Sequence, residues 1–162
     1  MAKEPTNPVQ QSVLDRLIDE EPRNRSEPPP TRAQTVRQLK TAVRRDLEWL
    51  LNSRRAIREE ELRQQPALVA QSVENYGLPD ITNLSLDSGE DQMLLIQLLQ
   101  TTIARFEPRL RGVRVTPQPQ DKKRRILRFT IEGMLDMDPA PEWVSFDTSL
   151  ELGSHEYKVR GA

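Results

Sequence analysis

Residues 93–115 read MLLIQLLQTTIARFEPRLRGVRV, and the hydrophobic period changes inside this stretch. Up to Phe106 the apolar positions follow a helix: Met93, Leu94, Ile96, Leu98, Leu99, Ile103 and Phe106. They cover more than one face, so the spacing predicts a central helix packed on two sides. Ser88, with Asp91 three residues on, supplies its start. Pro108 stops it, because proline disfavours helical geometry at the residue before it. Beyond it, Val113 and Val115 alternate with Gly112 and Arg114, the period of a strand.

That period of two persists to the end of the chain. Leu127, Phe129, Ile131 and Leu135 share one face, opposite Arg128, Thr130, Glu132 and Met134. Val144, Phe146, Thr148 and Leu150 alternate with Trp143, Ser145, Asp147 and Ser149, and Tyr157 with Val159 marks a short last strand. The linkers 117–123 and 136–142 are rich in proline and charge and have hairpin length. Helices followed by consecutive strands with one apolar face predict an α+β fold. In it, N-terminal helices pack on a small antiparallel sheet as a two-layer single domain.

Working back from residue 93, the window 31–65 lacks proline and opens with Thr31 and Gln34, a capping-box spacing. Val36, Leu39, Val43, Leu47 and Leu50 then predict a helix of about five turns. A more polar helical continuation is expected from 54 to 64, then a helical turn at 67–73 and a loop. The first thirty residues hold six prolines and one apolar cluster, Val13, Leu14, Leu17 and Ile18. This divides the chain into a flexible proline-rich arm, 1–30, with one short helix, and an α+β domain, 31–162.

Composition removes several function classes. The 24 Lys and Arg balance 25 Asp and Glu, leaving no basic field for nucleic acid or an anionic membrane. No cysteine means no thiolate metal site and no thiol nucleophile, and the single histidine excludes any two-imidazole site. The longest apolar runs, 93–96 and 67–70, fall far short of the ~20 residues that span a bilayer. The N-terminus lacks the apolar core of a signal peptide. A soluble, cytoplasmic protein without cofactor is expected.

The candidate chemistry is correspondingly thin. The glycines are too scattered to cradle a phosphate. His155 falls in a polar turn, where solvation is the simpler reading than base catalysis. Asp136 and Asp138 resemble the start of a calcium loop, but Pro139 follows and the loop glycine is missing. A glycosidase needs two carboxyls, yet Glu59, Glu60 and Glu61 read as a solvated helix face, and Glu90 with Asp91 as a first helical turn. Lys122, Lys123, Arg124 and Arg125 read as a charged hairpin tip that keeps a sheet edge soluble. Glu107 and Arg109 flank Pro108 at a helix end, where the macrodipole disfavours a negative charge. They are either a local ion pair that closes the helix or two charges held for a partner.

Five motifs in order carry a resemblance: Leu14-Asp15-Arg16-Leu17; the run from Val43 to Asn52; Ser72 to Asp80 with Tyr76-Gly77-Leu78-Pro79; Ile103 to Leu110 with Glu107-Pro108-Arg109; and Val144 to Leu150. Together they resemble the TssE family, baseplate wedge subunits of bacterial type VI secretion systems. The family is similar to the sheath-initiating wedge protein of contractile phage tails, once labelled lysozyme-like. The resemblance implies a structural role and no catalysis: partnership with TssF and TssG, and templating of the TssB/TssC sheath. It also implies a cytoplasmic baseplate docked at the inner membrane, with no nucleic acid bound and no membrane insertion.

Three expectations follow. The arm orders on wedge partners. The free edge of the last strand, near Tyr157 and Val159, accepts a strand from the sheath, and Val159→Pro removes a ladder donor there while sparing the core. Glu107, Pro108 and Arg109 serve assembly more than folding.

Overall fold

A computed structural model describes residues 12–18, 23, 31–84, 88–119, 126–137 and 140–161. The helices are α1 (Val13–Leu17), α2 (Arg32–Asn52), α3 (Glu59–Arg63), α4 (Ala67–Ala70) and α5 (Gly89–Phe106), with a single 3-10 turn at Val73–Asn75. The strands are β1 (Leu110–Pro117), β2 (Ile126–Leu135), β3 (Glu142–Glu151) and β4 (Glu156–Gly161). They form an antiparallel sheet in the order β1-β2-β3-β4, and α2 and α5 cover one face of it. The fold is a two-layer α+β domain.

The sequence periods explain most of this. Thr31 and Gln34 cap α2 reciprocally, side chain to backbone in both directions. Leu39, Val43, Leu47 and Leu50 are buried against the sheet, where Phe129, Ile131, Phe146, Leu150, Tyr157 and Val159 meet them. Phe129 and Tyr157 stack edge to face at 6.1 Å, a geometry that favours aromatic pairs. In β1 the alternation slips. Gly112 and Val113 oppose the single residue Gly133, and Gly112 takes φ +63°, so a glycine opens the bulge and Val113 is only half-buried.

Three expectations are corrected here. α5 buries one stripe, Leu95, Leu98, Leu99, Thr102 and Ile103, while Met93 and Leu94 are exposed. Four consecutive apolar residues about 100° apart surround a helix, and its neighbours cover only one side of it. Ser88 occupies the cap position of α5, but its side chain makes no capping bond. The helical continuation at 54–64 is also broken. α2 ends at Asn52, and Ser53 carbonyl accepts Leu78 N–H at 2.9 Å while Arg55 N–H donates to Leu78 carbonyl at 3.0 Å. Pairing with the 76–79 loop replaces helical bonds until Glu59.

The basic tip at 122–125 and Asp138 lie outside the described residues. His155 takes φ +56° in the β3–β4 turn, a left-handed conformation that histidine enters more readily than most residues.

Candidate partner-binding site

Pro108 forces Glu107 out of helical geometry, to φ −119° and ψ 76°, just after Glu107 N–H has closed the last turn on Ile103 carbonyl at 2.8 Å. The extended step then brings Glu107 and Arg109 to the same side. Arg109 Nε donates to Glu107 Oε1 at 2.6 Å and Nη2 to Oε2 at 2.5 Å, a two-pronged pair. Glu107 is only 4% exposed, whereas Pro108 is exposed.

Two other elements join this pair. Arg109 Nη2 also donates to Asp46 Oδ2 on α2 at 2.6 Å. Arg45, next in line, donates to Asp46 Oδ1 from Nε at 2.9 Å and from Nη2 at 2.8 Å. Its Nη2 reaches Asp15 Oδ1 on α1 at 2.7 Å, and Asp15 Oδ2 lies 3.9 Å from Arg109 Nη1. Three carboxylates and two guanidiniums thus tie α1, α2 and the α5–β1 turn together. Arg45 lies over the exposed Trp49 ring, 5.1 Å from its centre. Burial opposes the charge on Arg109, but Glu107 and Asp46 more than compensate and raise its pKa further. Tyr76 packs edge-on against Phe106 at 5.4 Å. Its burial, then the nearby charges of Asp46 and Glu107, push its phenol pKa up.

Sequence reasoning singled out Glu107 and Arg109 and missed Asp15, Arg45 and Asp46 as their partners. The signal was present in two of the motifs, but separations of 30 to 94 residues hide such pairing. Tyr157 and Val159 do not join this cluster. Both are buried, and α2 serves their outer edge: Tyr157 N–H donates to Asn52 Oδ1 at 2.9 Å, Asn52 Nδ2 to Tyr157 carbonyl at 2.9 Å, and Val159 N–H to Glu48 Oε2 at 3.0 Å. Val159 N–H therefore bonds a helix side chain and its side chain fills the core, so a proline there would not spare the core.

The sequence profile of the baseplate wedge protein gp25 family matches residues 37–140, well over half of the chain. The chain belongs to the gp25 baseplate wedge family. No curated protein and no solved structure matches it. The family is structural and its members work with other baseplate components. The matched span holds most of the cluster, Arg45, Asp46, Glu107 and Arg109, and excludes α1. Among the described residues no helix is long and apolar enough to cross a membrane.

α1 is attached by charge. Val13, Leu14, Leu17 and Ile18 are all exposed, while Asp15 faces Arg45. Burial raises the Asp15 pKa, but the Ser12 hydroxyl and the two guanidiniums outweigh it and hold it below the ordinary aspartate range. A depressed carboxylate pKa contributes stability above the unfolded value and loses it as pH falls through the folded one. Amide protection of residues 12–18 is therefore expected to hold above about pH 4 and to fall progressively below it, as pH drops through the lowered folded value. Asp15→Asn should lower that protection roughly tenfold at pH 7, the loss of about 1.5 kcal/mol for a charged hydrogen bond. Hydrogen exchange reads both, and unchanged protection in the variant would show that the ion pair does not hold the arm.

Proposed function

We propose that the chain is a non-enzymatic wedge subunit of a type VI secretion baseplate, joining TssF and TssG and initiating the TssB/TssC sheath. The observation that carries this reading is the gp25 family match over residues 37–140. The motifs outside or at the ends of that span, Leu14 to Leu17 and Val144 to Leu150, favour the type VI branch. The assembly works in the cytoplasm at the inner face of the inner membrane. Residues 1–30 form the arm and 31–162 the wedge domain. The exposed apolar side chains of α1 give the arm a surface for wedge partners to cover.

Co-expression with TssF and TssG tests the reading directly. A stable complex is expected, and its absence while TssF and TssG bind each other would remove the type VI assignment. Within it, Glu107, Pro108 and Arg109 contact the wedge partners, and the β4 edge at Tyr157 and Val159 receives a sheath strand after Asn52 and Glu48 release it. Cells carrying Val159→Pro are expected to form few sheaths. Because that variant also perturbs the core, Asn52→Ala with Glu48→Ala is the companion. It frees the edge at a stability loss of about 1 kcal/mol per bond, and sheath number should not fall. Normal sheath number with Val159→Pro, or its collapse in the freed-edge variant, would count against strand addition at β4.

A further inference from the structure

α3 and the last turn of α5 enclose a second charged cluster that the wedge reading leaves unused. Among the described residues a single carboxylate, Glu59, faces three guanidiniums. Arg55 Nη2 donates to its Oε2, Arg105 Nη2 to its Oε1 at 3.4 Å, and Arg63 Nε lies 3.7 Å from Oε1. The Arg55 side chain is 0% exposed and that of Arg105 15%, whereas Arg63 is 72% exposed. Among the described residues, Arg55 Nε, Arg55 Nη1 and Arg105 Nη1 are enclosed without a hydrogen-bond acceptor. This also corrects the reading of residues 59–61 as a solvated face, since Glu59 is buried and its carboxylate is bound on both oxygens.

The imbalance has few physical remedies. A buried lysine or histidine can shed its proton, but an arginine stays charged at any ordinary pH. Glu59 is already committed as an anion: burial raises its pKa, yet Arg55 and Arg105 together lower it below the usual glutamate range. Enclosed donors that lack an acceptor are strongly destabilising, more so when charged. What the cluster lacks is a second negative charge with oxygen lone pairs.

We infer that Arg55 and Arg105 form the binding site of an oxyanion, a carboxylate or phosphate group that accepts from the unpartnered guanidinium nitrogens. Arg63, whose exposed side chain lies against Glu59 Oε1, marks the solvent side of the cluster. Two sources offer this chemistry: a free inorganic oxyanion, or an Asp or Glu side chain of a wedge partner, the latter resting on the function proposed above.

The test begins with the full chain alone, melted in increasing inorganic phosphate at constant ionic strength. Phosphate also raises melting temperatures by exclusion from protein surfaces, without saturation, so the signature is a saturable rise that Arg105→Gln abolishes. At a hundredfold excess over Kd the rise should be about 5–10 °C. Wild-type protein followed by NMR at its arginine Nε–H signals gives the same answer should the variant fail to fold: phosphate should shift Arg55 and Arg105 saturably. Saturable effects identify a free oxyanion. If phosphate acts on neither readout, capture of Arg105→Gln by TssF and TssG distinguishes the second source. A loss of tenfold or more at unchanged melting temperature assigns the oxyanion to a partner carboxylate. No phosphate effect together with undiminished capture overturns the inference and leaves a hydrated structural cluster. Because the phosphate arm needs no partner, failure of the wedge reading and failure of this site are separable.

Discussion

Glu107→Ala is expected to destabilise the isolated subunit by about 3–5 kcal/mol, the usual cost of breaking a buried ion pair from one side. Read from sequence, the same change should cost about 1 kcal/mol or less, as for an exposed pair. Burial decides between them. Glu107 is 4% exposed and both of its oxygens accept from Arg109, so among the described residues the substitution leaves that guanidinium with Asp46 at hydrogen-bond distance and Asp15 3.9 Å away. It also leaves the Arg109 backbone N–H without its 3.3 Å contact to Glu107 Oε1. Arg109→Ala should cost as much, because it isolates a buried carboxylate. Urea denaturation of the free subunit measures this, with capture by TssF and TssG compared under conditions where each variant stays folded. A loss below 1 kcal/mol with failed capture would return the pair to a pure assembly role. A large stability loss with intact capture would remove it from the partner surface. Loss on both readouts is the expected result, since Arg109 and Pro108 remain accessible at the rim.

What was legible in the sequence was periodic. The change of period at Pro108, the single buried face of β2, β3 and β4 and the Thr31 cap all depend on neighbours within a few residues, where chain geometry is nearly fixed. What was not legible depended on residues far apart in the chain. Glu59 stands in a run of three glutamates and looks solvated until Arg55 and Arg105 close around it. Asp15 looks like part of an arm until Arg45, thirty residues on, receives it. The end of α2 at Asn52 is intermediate: Asn52 and Ser53 are turn-prone, but the pairing with Leu78 that stops the helix crosses a loop. The β4 edge follows the same logic. Its position at the end of the sheet was readable, and its coverage by Glu48 and Asn52 was not. Charges carry weak periodic signals, so their distant partners emerge only in the fold.

Gly77→Ala is expected to be among the most damaging single-methyl additions in the chain. Gly77 takes φ +103°, and a Cβ there would sit 2.3 Å from Ser53 carbonyl oxygen and 2.6 Å from its carbon. Both are backbone atoms, and that oxygen is already the acceptor of Leu78 N–H, so no side chain can swing to make room. The strained φ alone costs about 1–3 kcal/mol, and displacing Ser53 endangers two backbone bonds of about 1 kcal/mol each. A total of about 3–5 kcal/mol follows. The consequences extend beyond stability. Leu78 carbonyl positions Arg55, and Tyr76 supports Phe106 at the turn that holds Glu107. The loop around Gly77 therefore connects the enclosed Arg55 cluster to the Glu107–Arg109 pair. Gly89→Ala is the matched control: it opens α5 with nothing within 4 Å of an added Cβ, and alanine should stabilise by about 0.5–1 kcal/mol. Denaturation midpoints of the two variants should move in opposite directions. If Gly77→Ala stays within 1 kcal/mol of the unmodified chain, the 76–79 loop can move away from Ser53. The two clusters would then be independent, because the close approach that couples them would not be rigid.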